Sequence, residues 1–435
     1  MAIPIMTDLD AARAGILRRM PLDDDAATTR VVAEIIADVR QRGDNALREY
    51  TLRFDGVERT AIEIPRERWA AAAADLDPAL RRALLLAISE IRRFHERQLR
   101  NSWVEFGVEG ALGQIVRPLD RVGIYVPGGA APLPSSLIHA AVPARVAGVR
   151  EIVVCSPPQR ATGEPAAIVL AAAHLAGVDR VFAVGGAQAI AAMAYGTESI
   201  PRVDTVAGPG NRYVIQAMRM VYGTVGVVSL PGPTETLIIA DQTANPRAVA
   251  ADLLAQAEHV EASAILLTTD QVLAEQVQQE VERQLAVLPD ANARAAREAV
   301  TQRGGIVLVP DLATAFRLAN EYGPEHLCLL IADPWQYVGE VRNAGGVFLG
   351  EESFEVLGDY VAGPSHIMPT EGTARYASPV NVDSFRKVIS LVGVNRAGLS
   401  RIGPAAMRLA EAEGLFAHAA AVRARLESLD TDGRD

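Results

Sequence analysis

With 435 residues, 49% of them hydrophobic and 22% charged, the chain has the size and balance of a globular protein of two or three domains. Its 42 basic and 53 acidic side chains leave a net charge of -11, which argues against a nucleic-acid footprint or attraction to an anionic membrane and favours small-molecule partners. Two cysteines, Cys155 and Cys328, are too few for a disulfide scaffold or a thiolate zinc site, and Lys387, the only lysine, leaves no Walker A loop.

The N-terminal stretch "MAIPIMTDLDAARAG" turns polar at once, and no apolar run reaches the ~20 residues of a membrane span, so the expected location is the cytoplasm. Up to about Ser102 apolar residues recur at three and four, which predicts a helical entry region with a turn at Asp55-Gly56. From Arg121 short apolar strands ("RVGIYVPGG", "REIVVCSPP", "DRVFAVGG", "DTVAGPG") are separated by helical stretches, the pattern of β-α-β units in a parallel sheet. After "SLPGPTETLIIAD" the pattern repeats through "SAILLTTD", "GGIVLVPD", "EHLCLLIADP" and "GVFLG". The fold class is therefore α/β: two doubly wound, incomplete Rossmann-like parallel sheets, with a helical N-terminal region and a helical C-terminal tail. Beyond about Gly350 the chain is rich in Gly and Pro, then closes in amphipathic helices of a kind that packs on a partner subunit.

Two glycine turns, Gly185-Gly186 and Gly208-Pro209-Gly210-Asn211, stand between a strand and a helix start, where free amides attract phosphate. Neither has the G-x-G-x-x-G spacing, so a plain tight turn remains an alternative, and Tyr125 precedes a third such turn. In "LLAQAEHVEAS", Asn245-Pro246 starts a helix whose stripe is Val249, Leu253, Ala257 and Val260; Gln256 and His259 lie along its edge and Glu258 points away. That spacing suits two ligands of one metal ion and equally a buried hydrogen-bonded pair. His95, His139 and His174 read as structural, whereas His259, His326, His366 and His418 each stand near an acid: Glu258, Glu325, Asp359 and Glu413. Together they offer an N/O metal set and an acid/base pair. Glu325 and His326 open a strand after Gly323-Pro324, and Cys328 shares a face with His326, which leaves a Cys-His nucleophile open against a buried thiol.

In order along the chain, "GDNALREYTLRFDG", "YVPGG", "VGGAQAIAA", "GPGN", "GPTE", "LLAQAEH", "EYGPEHL", "FLGEES", "GDYVAGPSH", "PTEGTARY" and "AEGLFAH" resemble the histidinol dehydrogenase family over nearly the whole length. The resemblance implies a zinc- and NAD-dependent enzyme that takes L-histidinol through the aldehyde to L-histidine, the last step of histidine biosynthesis. It implies one Zn2+ per subunit on Gln256, His259, Asp359 and His418, and NAD near Tyr125, Gln188 and Asn211. The substrate would meet Thr234, Gln256, His259, His326, Asp359, His366, Glu413 and His418, with His326 as base for the first oxidation and Glu325 activating water for the second. Glu413 and His418 would come from the partner of a homodimer with shared active sites. The implied division is an arm at 1–25, a metal and catalytic domain of 26–120 with 236–378, an NAD domain at 121–235 and a tail at 379–435. Thr234 stands where many members have Ser, and Ser365 where many have Asn. A related dehydrogenase acting on another small alcohol such as a sulfonated diol, or a non-catalytic binding protein on the same scaffold, are the competing expectations.

Overall fold

A computed structural model describes residues 2–18, 26–128, 132–259 and 261–431. In chain order the strands are β1 (Ile5–Met6), β2 (Trp103–Gly107), β3 (Gly110–Pro118), β4 (Arg121–Tyr125), β5 (Glu151–Ser156), β6 (Arg180–Ala183), β7 (Thr205–Ala207), β8 (Gly226–Val227), β9 (Glu235–Ala240), β10 (Ser263–Thr268), β11 (Gly305–Leu308), β12 (His326–Leu330), β13 (Gly346–Leu349) and β14 (Arg386–Val394). They fall into two compact units, residues 1–98 with 119–385, and residues 99–118 with 386–435.

The first unit holds both expected parallel sheets. One has the order β6-β5-β4-β7-β8, with every neighbouring pair parallel, so the chain runs outward from β4 to β6 and then returns to the other side of β4. Strand order thus reverses between β4 and β7, which opens a crevice at their carboxyl ends. Ile152, Val153, Val154 and Cys155 of β5 are all fully buried, because helices cover both faces. One face packs on helices Pro134–Ala147 and Ala167–Leu175, the other on Gly186–Tyr195 and Arg212–Val221. The helices between residues 26 and 96, expected with 236–378, place Val32, Ile35, Trp69, Ile88 and Ile91 in these same two cores. The apolar stripe of such a helix is read easily, but its partner sheet is not.

The second sheet has the order β1-β11-β10-β9-β12-β13, again all parallel. Its edge strand β1 pairs Ile5 with Ile306, so part of the expected helical arm is strand; helix Leu9–Ala14 follows, capped by the Asp8 side chain. Asn245 caps helix Pro246–Ala257 as expected, its side chain accepting the Arg247 N–H at 3.0 Å. That helix stops at Ala257, so His259 stands in the turn just past it, and Val260 of the expected stripe lies outside the described residues.

The second unit is an antiparallel sheet, order β14-β3-β2, with two helices, Arg396–Ala412 and Phe416–Thr431, packed on each other. The nine-residue strand β14 falls where the sequence pattern suggested only loop and helix. Large apolar side chains of this unit face solvent, among them Phe106, Val392, Leu409 and Phe416. No helix among the described residues is long and apolar enough to cross a membrane.

Candidate active site

The carboxyl ends of the first sheet carry the three residues expected at a dinucleotide. Tyr125 ends β4, is buried, and its hydroxyl accepts the Gly186 N–H at 3.2 Å; burial pushes that phenol up to about 12. Gln188 lies in the first turn after β6, only 1% exposed, and its Oε1 has no hydrogen-bond partner among the described residues. Asn211 is the N-cap of helix Arg212–Val221, its side chain accepting from Tyr213 and Val214 N–H at 3.1 Å each. Gly208, after β7, has φ +121, and a Cβ there would overlap the Tyr125 carbonyl oxygen, so the close approach of the two strand ends requires glycine.

The amino ends of the second sheet carry the acid-base residues. Glu325 and His326 stand where β12 begins beside β9, and both are nearly fully buried. The His326 Nδ1–H donates to the Glu235 carbonyl at 3.0 Å, so in the neutral ring Nε2 is the acceptor nitrogen. That Nε2 has no hydrogen-bond partner among the described residues; the carboxylate oxygen beside it, Asp359 Oδ1, is 3.6 Å away. One oxygen of Glu325 accepts from the Thr234 hydroxyl at 2.6 Å and from the Glu235 N–H at 3.0 Å. Burial pushes Glu325 up to about 7, with His326 and these two hydrogen bonds pulling the other way. For His326 burial alone would lower the value, but the carboxylates of Glu325, Asp359 and Glu355 outweigh it and push it up to about 10.

Gln256 is 3% exposed in the last turn of its helix. Its amide suits its surroundings with nitrogen donating to Glu355 Oε1 at 3.0 Å and oxygen facing the Glu235 N–H at 3.2 Å and the Thr234 hydroxyl. Asp359, expected on an irregular loop, sits in a short helix, Glu355–Tyr360. Burial would raise it, but the histidines 326, 366 and 259 around it hold it below the usual carboxylate range. Gln256, Asp359, His326 and His366 are therefore joined in one neighbourhood, with His259 close enough to act on Asp359. Among the described residues no three His, Cys, Asp or Glu side chains are grouped to hold a metal. The expected set draws only His259 and Asp359 of those types from this unit, with Gln256 as an amide. Glu413 and His418 lie exposed in the second unit, at the end of one helix and the first turn of the next.

His366 follows the Gly-Pro turn; Ser136 Oγ is 3.1 Å from its Nε2. His139, read as structural, is fully buried and stacks on His366 with ring centroids 4.4 Å apart. Its Nδ1 accepts the His366 N–H at 3.4 Å, and its carbonyl accepts the Ser365 hydroxyl at 3.0 Å. Burial lowers both histidines, His139 most. Cys328 is buried, and burial raises its thiol well above the ordinary value; its Sγ is 3.9 Å from Thr236 Oγ1 and Glu355 Oε2. A thiol so placed stays protonated, which removes the Cys-His nucleophile. The sequence reading passed over Glu355, although its spacing of one helical turn before Asp359 was a signal.

A family model described as histidinol dehydrogenase matches residues 18–426. The chain is 56% identical to the histidinol dehydrogenase of Deinococcus radiodurans over 92% of its length and 91% of that protein's. It is 51% identical to that of Thermus thermophilus, over 94% and 97%. The crystal structure of histidinol dehydrogenase from Elizabethkingia anophelis superposes with a TM-score of 0.92 at 38% identity, covering 99% of each chain.

Proposed function

Because the chain belongs to the histidinol dehydrogenase family, NAD-dependent oxidoreductases, we propose that it oxidises L-histidinol to L-histidinal and then to L-histidine. Each turnover would use two NAD. The observation that carries the reading is His326: tethered at Nδ1 by the Glu235 carbonyl, it presents a buried Nε2 that has no hydrogen-bond partner among the described residues and lies 3.6 Å from Asp359 Oδ1. An alcohol gives up hydride readily only as its proton leaves, and His326 Nε2 is the acceptor for that proton once the ring is neutral. The aldehyde gives up hydride only once hydrated. Glu325, held near 7, can take the proton of the attacking water at neutral pH.

Two groups that the family implies fit the residues present. The Oε1 of Gln188, without a hydrogen-bond partner among the described residues, the glycine-dependent approach of Gly208 to Tyr125, and the crevice between β4 and β7 suit NAD, which supplies the hydride acceptor. An amide, an imidazole and a carboxylate suit Zn2+, and Gln256, His259 and Asp359 would hold it with His418 of a second copy. When bound, zinc would orient the imidazole and amine of the substrate as a Lewis acid, and its charge on Asp359 would weaken the hold of the carboxylates on the His326 proton. Thr234, Asp359, His366 and the tail Glu413 would line the substrate. The Thr234 hydroxyl already donates to Glu325, so the residue's extra methyl leaves that role intact. The Ser365 hydroxyl is committed to the His139 carbonyl.

The enzyme would act as a homodimer in the cytoplasm, with residues 121–235 holding NAD and 379–435 reaching the partner; the exposed apolar side chains of the second unit support that association. The test is the NADH formed per histidinol consumed, with and without a chelator: two are expected, and one would mean release at the aldehyde. His326→Ala should slow oxidation of the alcohol, and Glu325→Gln mainly that of added aldehyde. Equal loss of both steps in each variant would defeat the division of labour.

A further inference from the structure

Glu355 is one of the most deeply buried carboxylates in the chain, 1% exposed, and the mechanism above gives it no part. It opens the short helix Glu355–Tyr360, so Asp359 lies one turn further along the same face. Its Oε1 stands 3.0 Å from the Gln256 amide nitrogen, the Cys328 Sγ lies 3.9 Å from Oε2, and the Thr236 hydroxyl also bonds to its side chain. Its hydrogen-bond neighbours are thus protein side chains, and one of them is an expected metal ligand.

We propose that Glu355 is a positioning residue for the metal site, fixing which end of the Gln256 amide faces the cation. This rests on the reading of Gln256 as a zinc ligand. An amide offers a cation its oxygen and not its nitrogen, yet the two ends have nearly the same shape. While Glu355 is ionised the nitrogen is committed to it, and rotation of the amide would set two acceptors face to face, so the oxygen is presented toward the Glu235 N–H. Because Glu355 and Asp359 share one short helix, the same side chain ties the helix bearing Gln256 to the segment bearing Asp359. Ligand-orienting partners of this kind are worth about 10–100-fold in metal affinity.

The experiment measures zinc dissociation constants of the metal-stripped full-length protein by competition with a chromophoric chelator. Glu355→Met fills a similar volume without the carboxylate and leaves the Gln256 amide nitrogen without that acceptor, a change that lowers stability; unfolding curves taken with chelator present confirm that it still folds. It should bind zinc about 10–100-fold more weakly than the wild type. Glu355→Gln keeps an oxygen acceptor but can also donate, so it should recover only part of the binding, to within about 10-fold of the wild type. In a Gln256→Ala background, adding Glu355→Met should change affinity by less than about 2-fold, because the residue acts through Gln256. Unchanged affinity in Glu355→Met, equal loss in Glu355→Gln, or an undiminished further loss in the Gln256→Ala background would overturn the inference. A wild type that takes up no zinc would instead overturn the reading on which it rests.

Discussion

Thr234→Val tests whether Glu325 is tuned as a base. The substitution keeps the shape of the side chain and deletes the hydroxyl that donates to Glu325 Oε2 at 2.6 Å, leaving the Glu235 N–H at 3.0 Å as the other donor to that oxygen. A hydrogen bond to a charged group contributes about 1.5–3 kcal/mol, and it favours the ionised carboxylate. At about 1.4 kcal/mol per pH unit its loss should raise Glu325 from about 7 to about 8–9. The base acts only when ionised, so its active fraction at pH 7 should fall from about half to between about 1% and 9%, a loss of roughly 5–50-fold that alkali restores. Initial rates of NADH formation from added L-histidinal, at saturating zinc and from pH 6 to 10, would show the midpoint moving up by one to two units. Thr234→Ser should behave as the wild type. A Val variant whose midpoint stays within about half a unit of the wild type, or a Ser variant that moves as far, would refute the reasoning.

Asp252 is buried in helix Pro246–Ala257, and burial, aided by Glu351, pushes it up to about 7. Its folded value exceeds the unfolded one, so its unfavourable contribution is absent at pH 4 and grows as pH rises to 7, reaching at most about 4 kcal/mol. Asp252→Asn should match the wild type in urea unfolding at pH 4 and exceed it by up to that amount at pH 8; a gap independent of pH would contradict the assignment. Gly208→Ala forces a Cβ against the Tyr125 carbonyl in a backbone region that costs about 1–3 kcal/mol, and should weaken NADH binding, followed by fluorescence titration, by at least about 10-fold. Undiminished binding would show that this turn is not at the cofactor. Ser365→Ala removes a buried hydroxyl that donates to the His139 carbonyl and accepts the Ile367 N–H at 3.2 Å. It should lower stability by about 1–3 kcal/mol while leaving the preference for histidinol over sulfonated diols unchanged. A change of preference above ~10-fold would place Ser365 at the substrate.

Both parallel sheets were readable because their strands are buried on two faces and show as apolar runs such as "EIVVCS" and "SAILLT" between helical stretches. The two-residue strand β1 was not, since Ile5 and Met6 are a strand only by virtue of Ile306 and Val307 beside them. Strand β14 escaped for a related reason: "RKVISLVGV" is mostly exposed within its unit, and its partner β3 lies far away in sequence. In the site, the pairing of Gln256 with His259 was legible from spacing, although the helix ends two residues before His259. Convergence of Asp359 on His326 was not, because a contact between separate segments leaves no periodicity to read. His139 shows the limit most clearly: its neighbours in the helix Pro134–Ala147 mark it as core, which it is, and nothing local announces the stacked His366.

The two sheets meet the proposed chemistry with opposite ends, and the electrostatics of helices explains why. At the first sheet the relevant residues follow the strands, so the starts of helices Gly186–Tyr195 and Arg212–Val221 gather there, with their partial positive charge and amide donors. That end suits the pyrophosphate of NAD. At the second sheet Glu325 and His326 lie at strand starts, and Gln256 and His259 at the close of helix Pro246–Ala257, where carbonyls leave a partial negative charge. That end suits a cation and raises the cost of ionising nearby carboxylates, in keeping with Glu325 held near 7 and Glu355 pushed by burial up to about 8. Under the proposed function two copies of one architecture would thus take up an anion and a cation, because the proposed site uses the carboxyl ends of one sheet and the amino ends of the other. A second dinucleotide at the second sheet would place its phosphates against the wrong pole.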